Sequence, residues 1–284
     1  MARENIQFVQ NQWLDWSSTE VFSHLKGTKN KILSIDKHTG DFTSLIFYPK
    51  NWRGGNVGNF GFNEEFYVVD GEIEFSNIKF PCDYYSLVPN GFERKNFLSE
   101  IGAVTLSFFS KDTNSNNYND SLYKNFDHDI WVPRINAYSN IWPAANNLMA
   151  KIDSHSAGMR VCNLSADKIN DGHCILVGFP PMWNIPELNI LSSAIEIYVL
   201  TGNIFISNRG NMHSGAYICL NKGSILDQMA SYDSAVLLIK THKEFFSFDV
   251  VRDDFINPLI AIDYNCIIPN SIIDKITSGP YKKV

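Results

Sequence analysis

Short runs of alternating apolar and polar residues cover most of the chain, and they predict strands rather than helices. The runs are rich in β-branched and aromatic side chains, which fit a pleated surface, and turn-forming residues separate them. The predicted strands are residues 42–47, 66–69, 73–75, 84–88 and 104–109, followed by 174–177, 195–200, 204–206, 217–220 and 235–239. Many short strands at regular spacing indicate an all-β sandwich or barrel.

The pattern occurs twice, because the chain superposes on itself at an offset of 131 residues. At this offset Trp52 meets Trp183, and the block EFYVVDG at 65–71 meets EIYVLTG at 196–202. One residue of slip then gives an offset of 132, at which Tyr85 meets Tyr217. A near-constant offset over this length predicts a duplicated domain.

We therefore expect two tandem barrels. Residues 1–110 form the N-terminal barrel with an N-terminal arm, 111–150 the connection, and 151–284 the C-terminal barrel with a tail that contains a short helix at 271–276. The apolar arm is expected to pack on a barrel edge. Gly71 and Gly202 each follow one predicted strand and precede another, which indicates a tight turn between the two.

Charge and cysteine content narrow the class of protein. The net charge of the 284 residues is −6, and no cationic cluster exists of the kind that binds phosphates, so we expect no nucleic-acid partner. We expect no membrane partner either, since no apolar run approaches the roughly 20 residues of a span. The first ten residues lack the apolar core of a signal peptide. The five cysteines include no CxxC pair and are expected to be reduced, mostly buried thiols, so a cytoplasmic protein is predicted.

Two segments carry a resemblance to the cupin superfamily. Residues 64–72 (EEFYVVDGE) resemble its first motif, in which a ligand Glu is followed by six residues and Gly; residues 83–91 resemble the second motif, with Asp83 in place of its first Gly. The upstream run 35–45 is similar to ChrR-like and acetylacetone-dioxygenase-like cupins. The resemblance implies a jelly-roll (RmlC-like) barrel in each half, and in most of its enzymes a metal held by three His and one Glu.

The ligand histidines of that resemblance are missing. The window 56–63 contains no His, Arg94 stands where the family has its last His, and only Glu64 keeps a ligand identity. In the second copy the equivalent positions are Ile195 and Leu226. One carboxylate without imidazole partners binds a transition metal poorly, so we expect no metal and no other cofactor. The seven histidines are interpreted as surface or turn residues, and a site built from dispersed histidines is left open.

Glu64 and Arg94 are the candidate catalytic residues. Opposite charges at facing positions of a dry interior form an ion pair, which either simply fills the former metal site or serves chemistry. In the second case Arg94 binds a carboxylate or carbonyl oxygen, and Glu64 acts as general base or acid. The candidate ligand-binding residues are Asn59, Phe60, Trp52 and Tyr85.

Strand alternation and the repeat suggest alternative roles for some of these candidates and their neighbours. Only one of Tyr84 and Tyr85 can face inward. Trp52, matched by Trp183, is more typical of packing at the barrel mouth than of a ligand-stacking wall. Glu65, matched by Glu196, should point away from the pocket and serve a structural role, such as a salt bridge or a dimer contact.

Three functions remain open. The first is a metal-independent enzyme that acts on a small, oxygen-rich metabolite by acid/base chemistry, of the isomerase, cyclase, dehydratase or lyase type, with its pocket in the N-terminal barrel. The second is a non-catalytic, small-molecule-binding or regulatory protein. The third, an Fe(II)-dependent dioxygenase of the ChrR-like type, follows from the resemblance alone. A monomer and a homodimer are both compatible with the sequence.

Overall fold

The computed structural model describes residues 3–18, 25–58, 61–110, 128–139, 141–144, 158–166, 172–190, 194–242 and 248–252. One 3-10 helix spans Asn11–Trp13. The strands of the first half are β1 (Ile6–Gln10), β2 (Ser17–Ser18), β3 (Lys29–Ile35), β4 (Phe42–Tyr48), β5 (Trp52–Gly55), β6 (Asn63–Phe75), β7 (Ile78–Pro81), β8 (Tyr84–Val88), β9 (Phe97–Ser99), β10 (Ala103–Ser110) and β11 (Val132–Asn136). Those of the second half are β12 (Arg160–Ala166), β13 (His173–Phe179), β14 (Trp183–Ile185), β15 (Glu187–Ile190), β16 (Ile195–Ile206), β17 (Gly210–His213), β18 (Ala216–Leu220), β19 (Ile225–Leu226), β20 (Met229–Ser231), β21 (Ala235–Thr241) and β22 (Phe248–Arg252).

The chain forms two compact units. The N-terminal unit comprises Trp16–Ser139, and the C-terminal unit comprises Arg3–Asp15 together with Asn140–Val284. This division confirms two tandem all-β copies but differs from the predicted boundaries at 110 and 150. The helix predicted at 271–276 lies outside the described residues.

The N-terminal unit is a jelly roll organised around β6. Its main sheet has the order β11-β8-β6-β10-β4-β3-β2, and the second half of β6 pairs instead with β7 and β9. The interior is packed with aromatic side chains, because every second residue of these strands faces inward. Its buried members include Phe42, Phe66, Phe75, Phe80, Phe92, Phe97 and Phe109.

The C-terminal unit repeats this arrangement around β16. Its main sheet has the order β1-β18-β16-β21-β13-β12, while β17 and β20 pair with the second half of β16. A separate three-stranded sheet has the order β19-β15-β22. The interior is aliphatic rather than aromatic, since isoleucine, leucine and valine supply most of its buried side chains.

The prediction of a tight turn between two strands at Gly71 and at Gly202 is wrong. Each lies inside a single long strand, β6 or β16, rather than between two strands. Their φ angles are +74° and +81°, beside a register shift in the pairing with β10 or β21. A Cβ on Gly71 would lie 1.9 Å from the carbonyl oxygen of Gly102. The glycines are therefore needed for a bulge and a close backbone approach, which a local pattern cannot distinguish from a turn.

The N-terminal arm supplies an edge strand to the C-terminal unit. In this arm β1 pairs with β18, so that Val9 lies opposite Tyr217. The predicted connection contains β11, which pairs with β8 of the N-terminal unit and places Ile135 opposite Tyr85. These two strands occupy the same place in the two copies. The arm was predicted to belong to the N-terminal barrel and to pack on a barrel edge, and residues 111–150 were predicted to connect the copies. Instead β1 is an edge strand of the C-terminal unit and β11 an edge strand of the N-terminal unit, and each covers a sheet edge that would otherwise be unpaired.

The described residues also allow the expectations about membrane spans and cysteines to be examined. Within the described ranges, no helix is long and apolar enough to cross a membrane. Cys162, Cys174 and Cys219 are buried, as expected, whereas Cys82 is exposed. Burial raises the pKa of the Cys219 thiol to about 12, so this thiol is not a ready nucleophile at neutral pH.

Candidate functional site

Glu64 projects into the N-terminal interior from β6. It lies opposite Phe109 of β10 and Val88 of β8, and only 4% of its surface is exposed. The neighbouring residue, Glu65, faces the other side of the sheet, because successive side chains of a strand alternate. The strand alternation that buries Phe66 and Val68 thus also buries the Glu64 carboxylate.

Arg94 reaches the same interior from the loop between β8 and β9. Its backbone N–H donates to the carbonyl of Gly58 at 3.0 Å, and its own carbonyl accepts the N–H of Val57 at 3.1 Å. This backbone pairing fixes the start of the side chain, which is 1% exposed. Its Nη2 donates to Oε2 of Glu64 at 2.7 Å, and the guanidinium lies 5.6 Å from the Phe75 ring centroid. The structure therefore brings Glu64 and Arg94 together as a buried ion pair.

A row of hydroxyl groups continues from this pair across the sheet. The Ser107 hydroxyl of β10 lies within hydrogen-bonding reach of Glu64, and it is 3.2 Å from the Thr105 hydroxyl. Thr105 in turn is within reach of the hydroxyl of Tyr48 on β4. We call Tyr48, Thr105 and Ser107 the hydroxyl chain; each is at most 1% exposed. With Glu64 and Arg94, these residues form one connected polar interior.

Burial sets the protonation of this polar interior. Desolvation raises the pKa of Glu64 above its ordinary value, against the opposing effects of Arg94 and Ser107. Arginine keeps its proton in proteins, so the proton balance of the pair depends on Glu64. Burial, reinforced by the nearby Glu64 carboxylate, also raises the pKa of Tyr48, whose hydroxyl therefore remains protonated at neutral pH.

The second copy contains apolar side chains at every equivalent position. The equivalent pairs are Glu64 and Ile195, Arg94 and Leu226, Tyr48 and Phe179, Thr105 and Leu237, and Ser107 and Ile239. All five apolar partners are buried in the C-terminal core. The same strand geometry thus encloses a polar interior in one unit and an apolar interior in the other.

The structure describes only some of the predicted ligand-binding residues. Asn59 and Phe60 lie outside the described residues. Trp52 is a core residue: its ring packs on Tyr48 and Phe97 at centroid distances of 5.1 and 5.0 Å, and its Nε1 donates to the carbonyl of Lys26 at 2.9 Å. This placement favours the packing role over the ligand-stacking role for Trp52. It also puts the indole ring beside Tyr48 of the hydroxyl chain.

The assignment of Tyr85 to the pocket is corrected by the structure. Its hydroxyl donates to Oε2 of Glu65 at 2.6 Å, on the face of β6 that points away from Glu64. Tyr84, its neighbour, is the residue that packs against the interior cluster. Alternation allowed only one of the two tyrosines to face inward, but the sequence does not specify which one, because strand phase depends on the neighbouring strands.

Sequence reasoning missed the hydroxyl chain. Tyr48, Thr105 and Ser107 lie outside the family motifs, and each alone is an unremarkable strand residue. A signal nevertheless existed: at the offsets of the duplication these three residues meet Phe, Leu and Ile, in step with the replacement of Glu64 and Arg94. A comparison of the two copies for coordinated polar-to-apolar changes would have found them.

A second buried polar cluster lies on the outer face of the C-terminal unit. Glu196 accepts from Arg3 Nη1 at 2.7 Å and is also bonded to the Tyr217 hydroxyl and to Nε2 of His242. Glu65 and Tyr85 are the equivalent pair in the first copy. Glu196 thus has the structural role that was predicted, whereas His242 is 20% exposed and is a member of this cluster rather than a surface residue.

The residues present do not fit a metal centre of the cupin type. Among the described residues, no group of three or more His, Cys, Asp or Glu side chains is arranged to hold a metal ion. Arg94 places a positive charge 2.7 Å from the one carboxylate at the ligand positions, and a cation at that carboxylate would be repelled.

Comparisons with known proteins show the fold. No family model matches the sequence, and no curated protein matches it. A protein of Nostoc punctiforme, described as a "putative dioxygenase", aligns over 89% of this chain and 92% of its own, with a TM-score of 0.75 and 15% identity. A mutant of oxalate decarboxylase from Bacillus subtilis aligns over 87% and 80%, with a TM-score of 0.55 and 11% identity.

The fold is also that of a cupin 2 conserved barrel domain protein from Leptotrichia buccalis, which aligns over 84% of this chain and 98% of its own, with a TM-score of 0.51 and 11% identity. At such identities the likeness concerns the fold alone. The chain therefore has two tandem copies of the cupin jelly roll, as the sequence predicted.

Proposed function

We propose that the N-terminal unit binds a small, oxygen-rich metabolite and acts on it by acid/base chemistry without a metal. The reaction is of the isomerase, cyclase, dehydratase or lyase type. Arg94 holds a carboxylate or carbonyl oxygen of the substrate, and Glu64 moves a proton to or from an adjacent carbon or oxygen. The C-terminal unit supports the fold.

The observation that carries this proposal is the coordinated difference between the two copies. Exchanging a buried ion pair for apolar residues of similar volume is often neutral or stabilising, and the C-terminal unit has Ile195 and Leu226 at these positions. We therefore expect that folding of the N-terminal unit does not require Glu64 and Arg94. Their presence with the hydroxyl chain favours a chemical role over a structural one.

The electrostatics of the pair suit proton transfer. Burial raises the pKa of Glu64 above its ordinary value, which makes its carboxylate a stronger base than an exposed one. The fixed positive charge of Arg94 stabilises negative charge that develops on a substrate oxygen when a neighbouring proton is removed. Ser107, the member of the hydroxyl chain within hydrogen-bonding reach of Glu64, gives the carboxyl group a second polar neighbour.

A non-catalytic binding function uses the same residues. The 2.7 Å bond between Arg94 and Glu64 satisfies both charges without a ligand, which favours a pocket that senses a small molecule and does not transform it. The Fe(II)-dependent dioxygenase hypothesis, which the ChrR-like run at 35–45 and the Nostoc likeness suggest, conflicts with the missing imidazoles and with the position of Arg94.

The test is turnover of metabolites by the purified full-length chain. A pool of small carbonyl and hydroxy-acid metabolites is incubated with the wild type, with Glu64→Gln and with Ile195→Val, a matched change in the second copy. Mass spectrometry should show a metabolite converted by the wild type and by Ile195→Val, but not by Glu64→Gln. Conversion by Glu64→Gln at the wild-type rate would refute the proposed role of Glu64.

Calorimetry on the same three proteins separates the two functions. Binding of a metabolite by the wild type with no conversion would identify the binding protein instead.

A further inference from the structure

The polar interior is electrically neutral as it stands. Glu64 and Arg94 cancel one another at 2.7 Å, and the hydroxyl chain carries no charge. The surrounding side chains are apolar, including Phe75 against the guanidinium and Phe66, two residues after Glu64 on the same face of β6. Uncompensated charge in such an interior is strongly unfavourable, so a ligand must leave the interior close to neutral.

The need to keep the interior close to neutral limits the charge that a ligand can carry. A divalent cation would add positive charge beside Arg94, and a dianion would leave negative charge after pairing with it. A monoanion can replace Glu64 on the guanidinium, provided that Glu64 becomes protonated. Ser107 accommodates the protonated form, because a hydroxyl group can accept a hydrogen bond as well as donate one.

The shape of the guanidinium selects within the monoanions. Its planar fork matches the two oxygens of a carboxylate, a geometry that a single carbonyl oxygen cannot reproduce. Backbone bonds to Gly58 and Val57 fix where the arginine side chain begins, and the Phe75 ring lies 5.6 Å from the guanidinium, so packing limits the directions in which the fork can meet an incoming group.

We propose that the ligand is a small carboxylate monoanion that replaces Glu64 on Arg94, and that Glu64 takes up one proton from solvent for each anion bound. This inference rests on the proposed function, because it takes the N-terminal interior as the ligand site. Among the described residues, the polar groups that face Glu64 are Arg94 from the β8–β9 loop, and Ser107, Thr105 and Tyr48 from β10 and β4. Arg94 keeps its proton and the three hydroxyl groups stay neutral, so Glu64 is the group that takes up the proton, and the exchange is balanced in charge and in protons.

The test is calorimetric titration of the full-length protein with acetate, formate and glycolate as carboxylate probes and acetamide as the neutral isostere of acetate. Measurement in two buffers with different ionisation enthalpies gives the number of protons exchanged. We expect about one proton taken up per carboxylate, and an affinity that falls up to about tenfold for each pH unit above the pKa of Glu64. Acetamide should bind more weakly than acetate.

Two variants isolate the partners. Glu64→Gln is uncharged at every pH, so it should bind carboxylates with no proton uptake and no pH dependence. Arg94→Leu should lose carboxylate binding; Glu64→Ile combined with Arg94→Leu, which reproduces the interior of the second copy, should also lose it while it remains folded. Thermal unfolding of each variant verifies folding.

The results separate this inference from the proposed function. Proton uptake of zero, acetamide binding as tight as acetate, or no carboxylate binding by the wild type would overturn the inference. If a neutral metabolite is nevertheless converted in a Glu64-dependent reaction, the proposed function stands. If Glu64→Gln and Arg94→Leu alter neither binding nor conversion of any metabolite, both fail.

Discussion

Glu64 accepts a hydrogen bond from Arg94 at 2.7 Å in the buried interior of the N-terminal unit, although the two residues come from different parts of that unit. Their side chains are 5% and 1% exposed. An ion pair in such surroundings gains little net free energy of folding, because desolvation of the two charges offsets their attraction. The pairing does mean that each buried charge is tolerated in the folded protein because the other is present.

The pairing therefore predicts that single and double substitutions have opposite effects on the free energy of unfolding. Arg94→Leu alone leaves a buried carboxylate without its cation and should lower the free energy of unfolding by about 3–5 kcal/mol. Glu64→Ile with Arg94→Leu should restore the free energy of unfolding to the wild-type value or raise it by about 1–4 kcal/mol. Urea denaturation measures both.

The exposed pair of Lys95 and Glu93, with a separation of 3.2 Å, is the control for this experiment. Lys95→Leu should change the free energy of unfolding by less than about 1 kcal/mol. A double variant as unstable as Arg94→Leu would show that the polar interior is required for folding.

Glu64 should also give the wild type a distinctive pH dependence. Its folded pKa is raised above the ordinary value of 4.5, so the folded state binds its proton more tightly than the unfolded state does. The resulting stability is fully present below about pH 4.5 and is lost as pH rises through the folded pKa. The melting temperature of the wild type relative to Glu64→Gln should therefore fall over this window. The reverse slope would contradict the argument that burial raises the pKa of Glu64.

Tyr48→Phe tests the hydroxyl chain with the loss of one oxygen atom. The ring contacts with Trp52 and Phe97 remain, and Thr105 keeps Ser107 as a neighbour at 3.2 Å. The free energy of unfolding should fall by about 0.5–1.5 kcal/mol. The reverse change in the second copy, Phe179→Tyr, places a hydroxyl among apolar side chains and should cost more, about 1–3 kcal/mol. Equal costs in chemical denaturation would show that the Tyr48 hydroxyl makes no useful contact.

Gly71→Ala should be strongly destabilising because the new Cβ would lie 1.9 Å from the Gly102 carbonyl oxygen. Gly55 is the matched control: its φ of +71° is close to the +74° of Gly71, but a Cβ there meets no atom within 4 Å. Gly55→Ala should therefore cost only the backbone term, about 1–2 kcal/mol, and Gly71→Ala several times more. Similar melting temperatures for the two variants would argue against the close approach.

Arg3 should hold the N-terminal arm on the C-terminal unit. Arg3→Ala removes the 2.7 Å partner of the buried Glu196, which keeps its bonds to Tyr217 and His242, so the free energy of unfolding should fall by about 1.5–3 kcal/mol and amide exchange in β1 should accelerate. Arg53→Ala, in an exposed pair whose atoms are 3.9 Å apart, should cost less than about 1 kcal/mol. Unchanged exchange of the β1 amides in Arg3→Ala would show that strand pairing with β18 alone holds the arm.

Alternation and the internal repeat were sufficient to predict the fold. The predicted strand at 84–88 coincides with β8, and the other predicted strands lie within observed ones. The resemblance to the cupin motifs implied that Glu64 and Arg94 meet, because both stand at positions where that family places metal ligands. Alternation and the repeat are signals within the chain itself: each depends on residues a few positions apart, or on a direct comparison of the two copies.

The amino-acid sequence by itself determined the β class, the two copies and the charged pair. Only the tertiary structure decided that Gly71 lies within a strand, that Tyr85 faces Glu65, and that β1 and β11 complete the two main sheets. The physical reason is that strand phase, bulges and edge pairing depend on hydrogen bonds between segments distant in sequence. The hydroxyl chain has the same origin, since β4, β10 and β6 bring Tyr48, Thr105 and Glu64 together only when they pair side by side.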